Sequence, residues 1–218
     1  MKKLFLSLVG LIFIGAALSS GAQAAPVAEE LNLLLAPYRK SEGGLKSALK
    51  KTFYQEFRDK TEESRGEIFL LKGRLKIKIS APEEHRSLLV VNSKALWLET
   101  PFEEGFPVAV TKLSRKNVKK SEGIWNVFVG NRPLSDGFEV KKEKKKDSAL
   151  YTLVPKEKVA SEISKVEVEF RGDALLSLSY WDQMENKVSY IFEKWEKEKM
   201  TLSQFEYTPP KNSTVTNL

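Results

Sequence analysis

The sequence contains no cysteine, and this absence sets the first limits on what the chain can be. Without cysteine no disulfide can form, so the stability of the fold must come from a packed core. The chain also lacks the lipid-bearing cysteine that follows the export signal of a bacterial lipoprotein, which excludes that class of protein. Thiolate-based zinc sites are excluded for the same reason.

Histidine is nearly as scarce, because His85 is the only one. A single imidazole without cysteine is a poor ligand set for zinc, and a Ser-His-Asp triad would have to use this one residue. The sequence has no G-x-S-x-G elbow and no glycine-rich phosphate-binding loop. We therefore expect no metal, no cofactor and no enzymatic activity, and we expect His85 to be a surface loop residue.

Long apolar runs are absent beyond the first 24 residues. Residues 1–24 begin with two lysines, continue with the apolar run Leu4–Leu18 and end in an A-x-A pattern, which is the layout of a secretory signal peptide. The run is shorter than the roughly 20 residues that a spanning helix needs. We expect cleavage after Ala24, export to the periplasm, and a single soluble domain over residues 25–218.

The excess of positive charge is mild, at +7 for the whole chain. Such a balance suits anionic lipid head groups or an acidic partner, and it is equally compatible with a role in solubility alone. Because export removes the protein from DNA and RNA, we expect no nucleic-acid partner.

The mature chain begins with a helical pattern and then changes period. Leu31, Leu34 and Leu35 lie at helical spacing and predict a helical segment over residues 27–50. Pro37 and the pair Gly43-Gly44 interrupt it, so we expect a second, short helix to end near Lys50.

Alternation with a period of two dominates the rest of the chain and predicts an antiparallel meander, closed or nearly closed into a barrel or sandwich. The clearest segment is Gly66–Ser80, interpreted as one strand that bends at Gly73. Its apolar face is predicted to hold Phe69, Leu71, Leu75, Ile77 and Ile79, opposite Lys72, Arg74, Lys76 and Lys78. The other predicted strands are Ser87–Val91, Ala95–Glu99, Phe106–Leu113, Phe138–Lys142, Leu150–Val154, Lys165–Phe170, Ala174–Trp181, Lys187–Lys194 and Gln204–Thr208. Residues 121–130 suit either a strand or a short helix.

Several short motifs, in order, give the mature chain a resemblance to the LolA family. They are Phe53-Tyr54-Gln55, Gly66-Glu67-Ile68-Phe69, Leu96-Trp97 followed by Pro101-Phe102, Leu153-Val154-Pro155-Lys156 and Phe205-Glu206-Tyr207-Thr208-Pro209-Pro210. Each motif alone is weak, while their order and spacing are fairly specific. The family's R-P-x-x-F-x-W segment is replaced here by Lys72-Gly73-Arg74-Leu75-Lys76-Ile77.

The resemblance implies a mainly β fold with a few helices, an open antiparallel half-barrel covered by a helical lid that includes residues 121–130. It implies a gating cation near Lys72 or Arg74 that holds the lid to the barrel. It also implies a lipid-binding cavity, whose expected lining is Phe53, Phe69, Leu71, Leu75, Ile77, Ile79, Leu89, Val91, Leu96, Leu98, Trp125 and Phe128.

The function implied by the resemblance is that of a monomeric periplasmic carrier. Such a carrier receives lipoproteins from an ABC-type complex of the inner membrane, shields their acyl chains, and delivers them to an outer-membrane receptor. The alternatives are a lipid-binding or lipoprotein-sensing module of the same fold with another cargo, and an exported hydrolase.

Overall fold

The computed structural model describes residues 24–100, 107–114, 126–130, 132–156 and 162–218. Three helices, thirteen strands and three 3-10 turns are assigned in these ranges. The helices are α1 (Ala24–Arg39), α2 (Asn126–Val129) and α3 (Leu134–Gly137), and the 3-10 turns are Glu56–Arg58, Glu83–His85 and Leu202–Phe205. The strands are β1 (Leu45–Gln55), β2 (Lys60–Leu71), β3 (Arg74–Ala81), β4 (Ser87–Val91), β5 (Ala95–Glu99), β6 (Ala109–Ser114), β7 (Phe138–Lys144), β8 (Ala149–Pro155), β9 (Ile163–Arg171), β10 (Ala174–Asp182), β11 (Lys187–Phe192), β12 (Glu196–Lys197) and β13 (Thr214–Asn217).

The strands form one sheet in the order β13-β6-β5-β4-β3-β2-β1-β11-β10-β9-β8-β7, with β12 paired to β1 off this path. Neighbours are antiparallel except for β13, which runs parallel to β6. In the part of the chain that the structure describes, the two edge strands β13 and β7 do not pair, so the sheet stays open. The prediction of a mainly β, open antiparallel half-barrel with a few helices is confirmed.

The alternation of the strands gives the sheet an apolar inner face. Cross-strand partners share a face, and Ile77 lies opposite both Ile68 and Leu89, while Leu89 lies opposite Leu98. The same face continues through β11, β10, β9 and β8, where it holds one buried apolar cluster. The core of the protein is therefore the concave side of a single curved sheet.

Helices cover one end of this inner face. Leu31 and Leu35 of α1 are fully buried in the core cluster, which also includes Phe128 of α2 and Leu134 of α3. Tyr38 anchors the end of α1, because its hydroxyl donates to Asp173 O at 3.0 Å and accepts from Leu175 N at 2.8 Å. The apolar stripe that predicted a helix therefore seals one mouth of the half-barrel.

The segment Gly66–Ser80 is a hairpin, and the prediction of a single strand was wrong. Lys72 and Gly73 have φ values of +46° and +70° and form a two-residue turn between β2 and β3. Leu71 pairs with Arg74, so odd-numbered residues of β2 share a face with even-numbered residues of β3. Phe69 and Leu71 therefore lie on the outer face, and Ile68 and Leu70 join Leu75, Ile77 and Ile79 on the inner one.

Two other predicted elements also differ in the structure. The expected second helix is absent from residues 40–50, and β1 begins at Leu45 instead. Gly44 sets this boundary, since its φ is +89° and an added Cβ would lie 2.5 Å from Glu198 O. Gln204–Thr208 is not a strand; a 3-10 turn ends at Phe205, which is buried beside Asn92, whose side-chain amide donates to Phe205 O.

Candidate functional site

An open pocket lies on the inner face, toward the end of the strands that the helices leave uncovered. It has a cavity volume of about 50 Å³ and is open to solvent. Phe128 of α2 contacts Phe192 near the other end of β11, with ring centroids 6.1 Å apart. Among the described residues, the half-barrel is therefore packed at its helical end and leaves a small pocket toward the opposite end. The pocket is lined by Lys51, Ile77, Ile79, Ser87, Leu89, Leu98 and Tyr190.

One cation projects into this otherwise apolar and hydroxyl-bearing pocket. Lys51 of β1 lies directly between Ser64 of β2 and Tyr190 of β11 in the sheet register. Burial lowers the pKa of Lys51, while the charge of Glu62 opposes that shift. Burial also raises the pKa values of Tyr190 and, to about 12, of Tyr180, so both phenols stay neutral hydroxyls.

The single histidine, predicted as a surface loop residue, lies partly exposed in the 3-10 turn Glu83–His85 and connects this turn to β2. Its Nδ1 lies 3.0 Å from the hydroxyl of Ser64, and its Nε2 lies 3.7 Å from a carboxylate oxygen of Glu62. A hydroxyl hydrogen-bonded to an imidazole can pass its proton to the ring. Here, however, the carboxylate is too far away to hydrogen-bond the imidazole and orient it.

Arg39, at the end of α1, makes a contact that joins this helix to α2. Its Nε donates to Val127 O at 2.7 Å, and its Nη1 donates to Asn32 Oδ1 at 3.1 Å. Burial lowers the pKa of this guanidinium to about 10, and Nη2 hydrogen-bonds none of the described residues. A charged hydrogen bond of this kind is worth roughly 1.5–3 kcal/mol. Basic residues favour helix C-termini, and that preference was the signal in the sequence that could have found Arg39.

The two residues predicted as the gate, Lys72 and Arg74, lie near Arg39 but in the β2–β3 hairpin. Lys72 is exposed in the β2–β3 turn, and its backbone N–H donates to Ser41 O at 3.0 Å. Arg74 lies on the outer face, and its Nε is buried without a hydrogen-bond partner among the described residues. The neighbouring Gly73 N donates to Arg39 O at 2.9 Å, so the turn is tied to the end of α1 by its backbone.

The structure brings most of the predicted cavity residues to the inner face. Phe69 and Leu71 are the exceptions, because the hairpin turns both to the outer face, where Lys46 Nζ lies 5.3 Å from the Phe69 ring centroid. Trp125 lies outside the described residues. The predicted residues on the inner face, in the buried core or packed against it or lining the pocket, are Phe53, Leu75, Ile77, Ile79, Leu89, Val91, Leu96, Leu98 and Phe128.

Two further features of the described residues bear on the site. They contain no group of three or more histidine, aspartate or glutamate side chains placed to bind a metal ion. None of the described helices is both long enough and apolar enough to cross a membrane.

Comparison with protein families gives one match, which covers most of the chain. The family described as "Outer membrane lipoprotein carrier protein LolA" matches residues 46–208. This range begins in β1 and ends beyond the buried Phe205, so it includes every strand that lines the pocket. No curated protein sequence matches the chain.

Several solved structures are similar at low identity. A LolA superfamily protein from Nitrosomonas europaea is 11% identical, with a TM-score of 0.45 over 83% of this chain and 98% of that one. An outer membrane lipoprotein-sorting protein domain from Vibrio parahaemolyticus is 12% identical, with a TM-score of 0.44 over 84% and 97%. The lipoprotein LppX of Mycobacterium tuberculosis is 13% identical, with a TM-score of 0.43 over 81% and 98%. Likenesses this distant carry no argument about function.

Proposed function

The chain belongs to the LolA family, and from that premise we propose that it binds the acyl chains of lipids or lipoproteins on the inner face of its sheet. The observation that carries the proposal is the inner face itself, which is apolar across the open sheet and leaves a small pocket toward one end. Burial of an acyl chain is worth about 0.8 kcal/mol per methylene. An inner face of this kind can therefore keep a lipid tail out of water.

Admission of a whole acyl chain requires the helical end to open. The pocket has a cavity volume of about 50 Å³, well below the roughly 300–1,000 Å³ that ligand sites occupy. Rigid-body movement of α1 and α2 would uncover more of the inner face, and the Arg39–Val127 hydrogen bond joins these two helices. One charged hydrogen bond is strong enough to favour the closed lid and weak enough to break when cargo enters.

Lipoprotein transport is the finer form of the proposal. The signal-like residues 1–24 support export and a mature chain that begins at Ala25. In the periplasm, a monomer would take lipoproteins from an ABC-type complex of the inner membrane and pass them to an outer-membrane receptor, without chemistry or cofactor. A sensing module that binds the same acyl chains is the alternative, and it would retain its cargo.

The binding proposal is tested with the purified mature chain and a tripalmitoylated lipopeptide. We expect a soluble equimolar complex by size-exclusion chromatography and native mass spectrometry, and we expect Leu98→Glu to abolish it. Leu98 lines the pocket and is 37% exposed, so a carboxylate there reaches water and leaves the fold intact. Failure of the wild-type protein to form any complex would reject the proposal.

The carrier role needs a separate measurement. Inner-membrane vesicles that contain a lipoprotein are incubated with the protein, and the supernatant is then mixed with outer-membrane vesicles. Release followed by transfer supports a carrier, whereas release without transfer supports a sensing module.

The Ser64–His85 contact favours one other candidate, hydrolysis of acyl esters. We prefer binding because Ser64 is only 6% exposed and the Glu62 carboxylate does not hydrogen-bond the ring. Loss of ester hydrolysis in Ser64→Ala, with a wild-type rate clearly above buffer, would instead support an enzyme.

A further inference from the structure

Lys51 gives the pocket a chemical preference that an apolar surface alone would not have. The two lysines of the dipeptide Lys50-Lys51 point to opposite faces of β1 because side chains alternate along a strand. Lys50 faces out and forms an ion pair with Glu63. Lys51 faces in, lines the pocket, and forms no ion pair within 4.0 Å with any residue that the structure describes.

The acidic group that most influences Lys51 is already engaged elsewhere. Glu62 lies on the inner face of β2, but its Oε1 accepts a hydrogen bond from Lys60 Nζ at 2.9 Å. Its Oε2 lies 3.7 Å from His85 Nε2. Among the described residues that line the pocket, the other titratable group is the phenol of Tyr190, which burial keeps neutral. The ammonium group is thus partly removed from water without a close counterion.

A partly buried cation without a counterion is costly, and an anionic ligand would remove that cost. Two residues that carry hydroxyl groups, Ser87 and Tyr190, line the pocket together with Lys51. Four aliphatic side chains complete the lining: Ile77, Ile79, Leu89 and Leu98. The lining therefore matches a molecule that has a negative head and an apolar tail.

We infer that the pocket around Lys51 binds the anionic head of a single-chain amphiphile, a fatty carboxylate or a lysophospholipid phosphate, with its acyl chain against Ile77 and Leu89. This inference rests on the proposed acyl-chain binding and adds the head-group class that the site prefers. An ammonium ion recognises carboxylate and phosphate by the same charge-assisted hydrogen bonds. The experiment below therefore distinguishes a fatty carboxylate from a lysophospholipid phosphate.

The test measures dissociation constants of the mature chain for three ligands with the same tail: palmitate, 1-palmitoyl lysophosphatidate and monopalmitoyl glycerol. Each is measured below its critical micelle concentration by isothermal calorimetry. We expect Lys51→Met to weaken binding of at least one anion by about tenfold or more, and to change binding of the neutral glyceride less than about twofold. The anion whose binding weakens more identifies the preferred head group, carboxylate or phosphate. Lys51→Arg should restore most of the affinity.

Lys50→Met is the matched control, since it removes the same charge from the adjacent residue on the outer face. It should leave all three constants within about twofold of wild type. Equal weakening of anions and glyceride by Lys51→Met would assign Lys51 a packing role and overturn the inference, while acyl-chain binding would stand. Absence of binding to all three ligands and to the tripalmitoylated lipopeptide would instead overturn the proposed function itself.

Discussion

The two ends of the inner face are built from the same strands and differ in what covers them. At the helical end, Leu31 and Leu35 of α1 fill the concavity against side chains such as Phe170 and Leu153, all exposed by 1% or less. At the open end the lining includes Lys51, Ser87 and Leu98, and space remains between them. Alternation makes one face of a sheet apolar, but the covering elements decide whether that face is a core or a binding surface.

We therefore attribute stability to the helical end and propose binding at the open end. A packed core loses free energy in proportion to the cavity that a truncation leaves. At the open end, lining residues that water can reach, such as Leu98, tolerate polar substitutions. Substitutions at the two ends should therefore have separable effects.

The largest effect should come from truncation at the helical end. Phe170→Ala removes a ring that packs edge-on against Tyr38 and Tyr151, with centroids 6.2 Å away in both cases. We expect the free energy of unfolding to fall by about 3–5 kcal/mol. Urea denaturation followed by tryptophan fluorescence measures it. Phe57→Ala is the control, because Phe57 is fully exposed and its loss should change stability by less than about 0.5 kcal/mol.

Ile77→Glu should have the next largest effect, on stability and on binding together. Ile77 is 4% exposed but borders the pocket, so the carboxylate can turn toward water. We expect a folded protein, destabilised by roughly 1–3 kcal/mol, that no longer binds the lipopeptide. Circular dichroism and the complex assay measure the two properties. Lys78→Glu places the same carboxylate on the exposed outer face and should bind normally. Complete unfolding of Ile77→Glu would mean that the two ends form one packed core.

Arg39→Leu should have a smaller and local effect. It removes the hydrogen bond to Val127 O, and relief of the buried charge offsets part of that loss. We expect the lid to open more often, by about tenfold for a net loss of roughly 1.4 kcal/mol. Hydrogen exchange of the amides in α2 reports this opening. Lys72→Leu and Arg74→Leu should leave exchange unchanged, and faster exchange in either would restore the gate predicted from the sequence.

The smallest effect should be a gain in stability in Lys51→Met. Burial lowers the pKa of Lys51, so its charged form is less favourable in the folded chain than in the unfolded chain. This cost is present at neutral pH and disappears as the pH rises through the folded and then the unfolded pKa. We expect the variant to be more stable than wild type at neutral pH, and we expect the difference to shrink as the pH rises through the pKa of the unfolded lysine. A loss of stability at pH 7 would contradict this account of Lys51.

The sequence predicts the strands better than it predicts their faces. Ser87–Val91 and Ala95–Glu99 were predicted with the bounds that the structure gives them, because each has turn residues on both sides. The prediction for Gly66–Ser80 failed because apolar and polar residues still alternate on both sides of a two-residue hairpin turn. The turn exchanges the faces to which odd-numbered and even-numbered residues point. The positive φ values of Lys72 and Gly73 and the pairing of Leu71 with Arg74 show that reversal. The start of β1 was predicted as a helix because the spacing of Leu45 and Leu49 also suits a helix.

The lid contact and the pocket each bring together residues that lie far apart in the sequence. Arg39 contacts Val127, 88 residues away, and no local pattern pairs a helix-end arginine with a particular carbonyl. The pocket combines residues of five strands that the register brings together. Lys51 was overlooked because one lysine in a basic chain carries no signal until its face is known.

The most direct test of the central claim uses the adjacent leucines of β4. Leu89 lines the pocket on the inner face, and Leu88 points to the outer face. A photo-crosslinking phenylalanine analogue is placed at each position in turn and irradiated with a tripalmitoylated lipopeptide. The account predicts crosslinks from position 89 and background levels from position 88. Equal labelling at both positions, or labelling at position 88 alone, would show that acyl chains do not bind on the inner face.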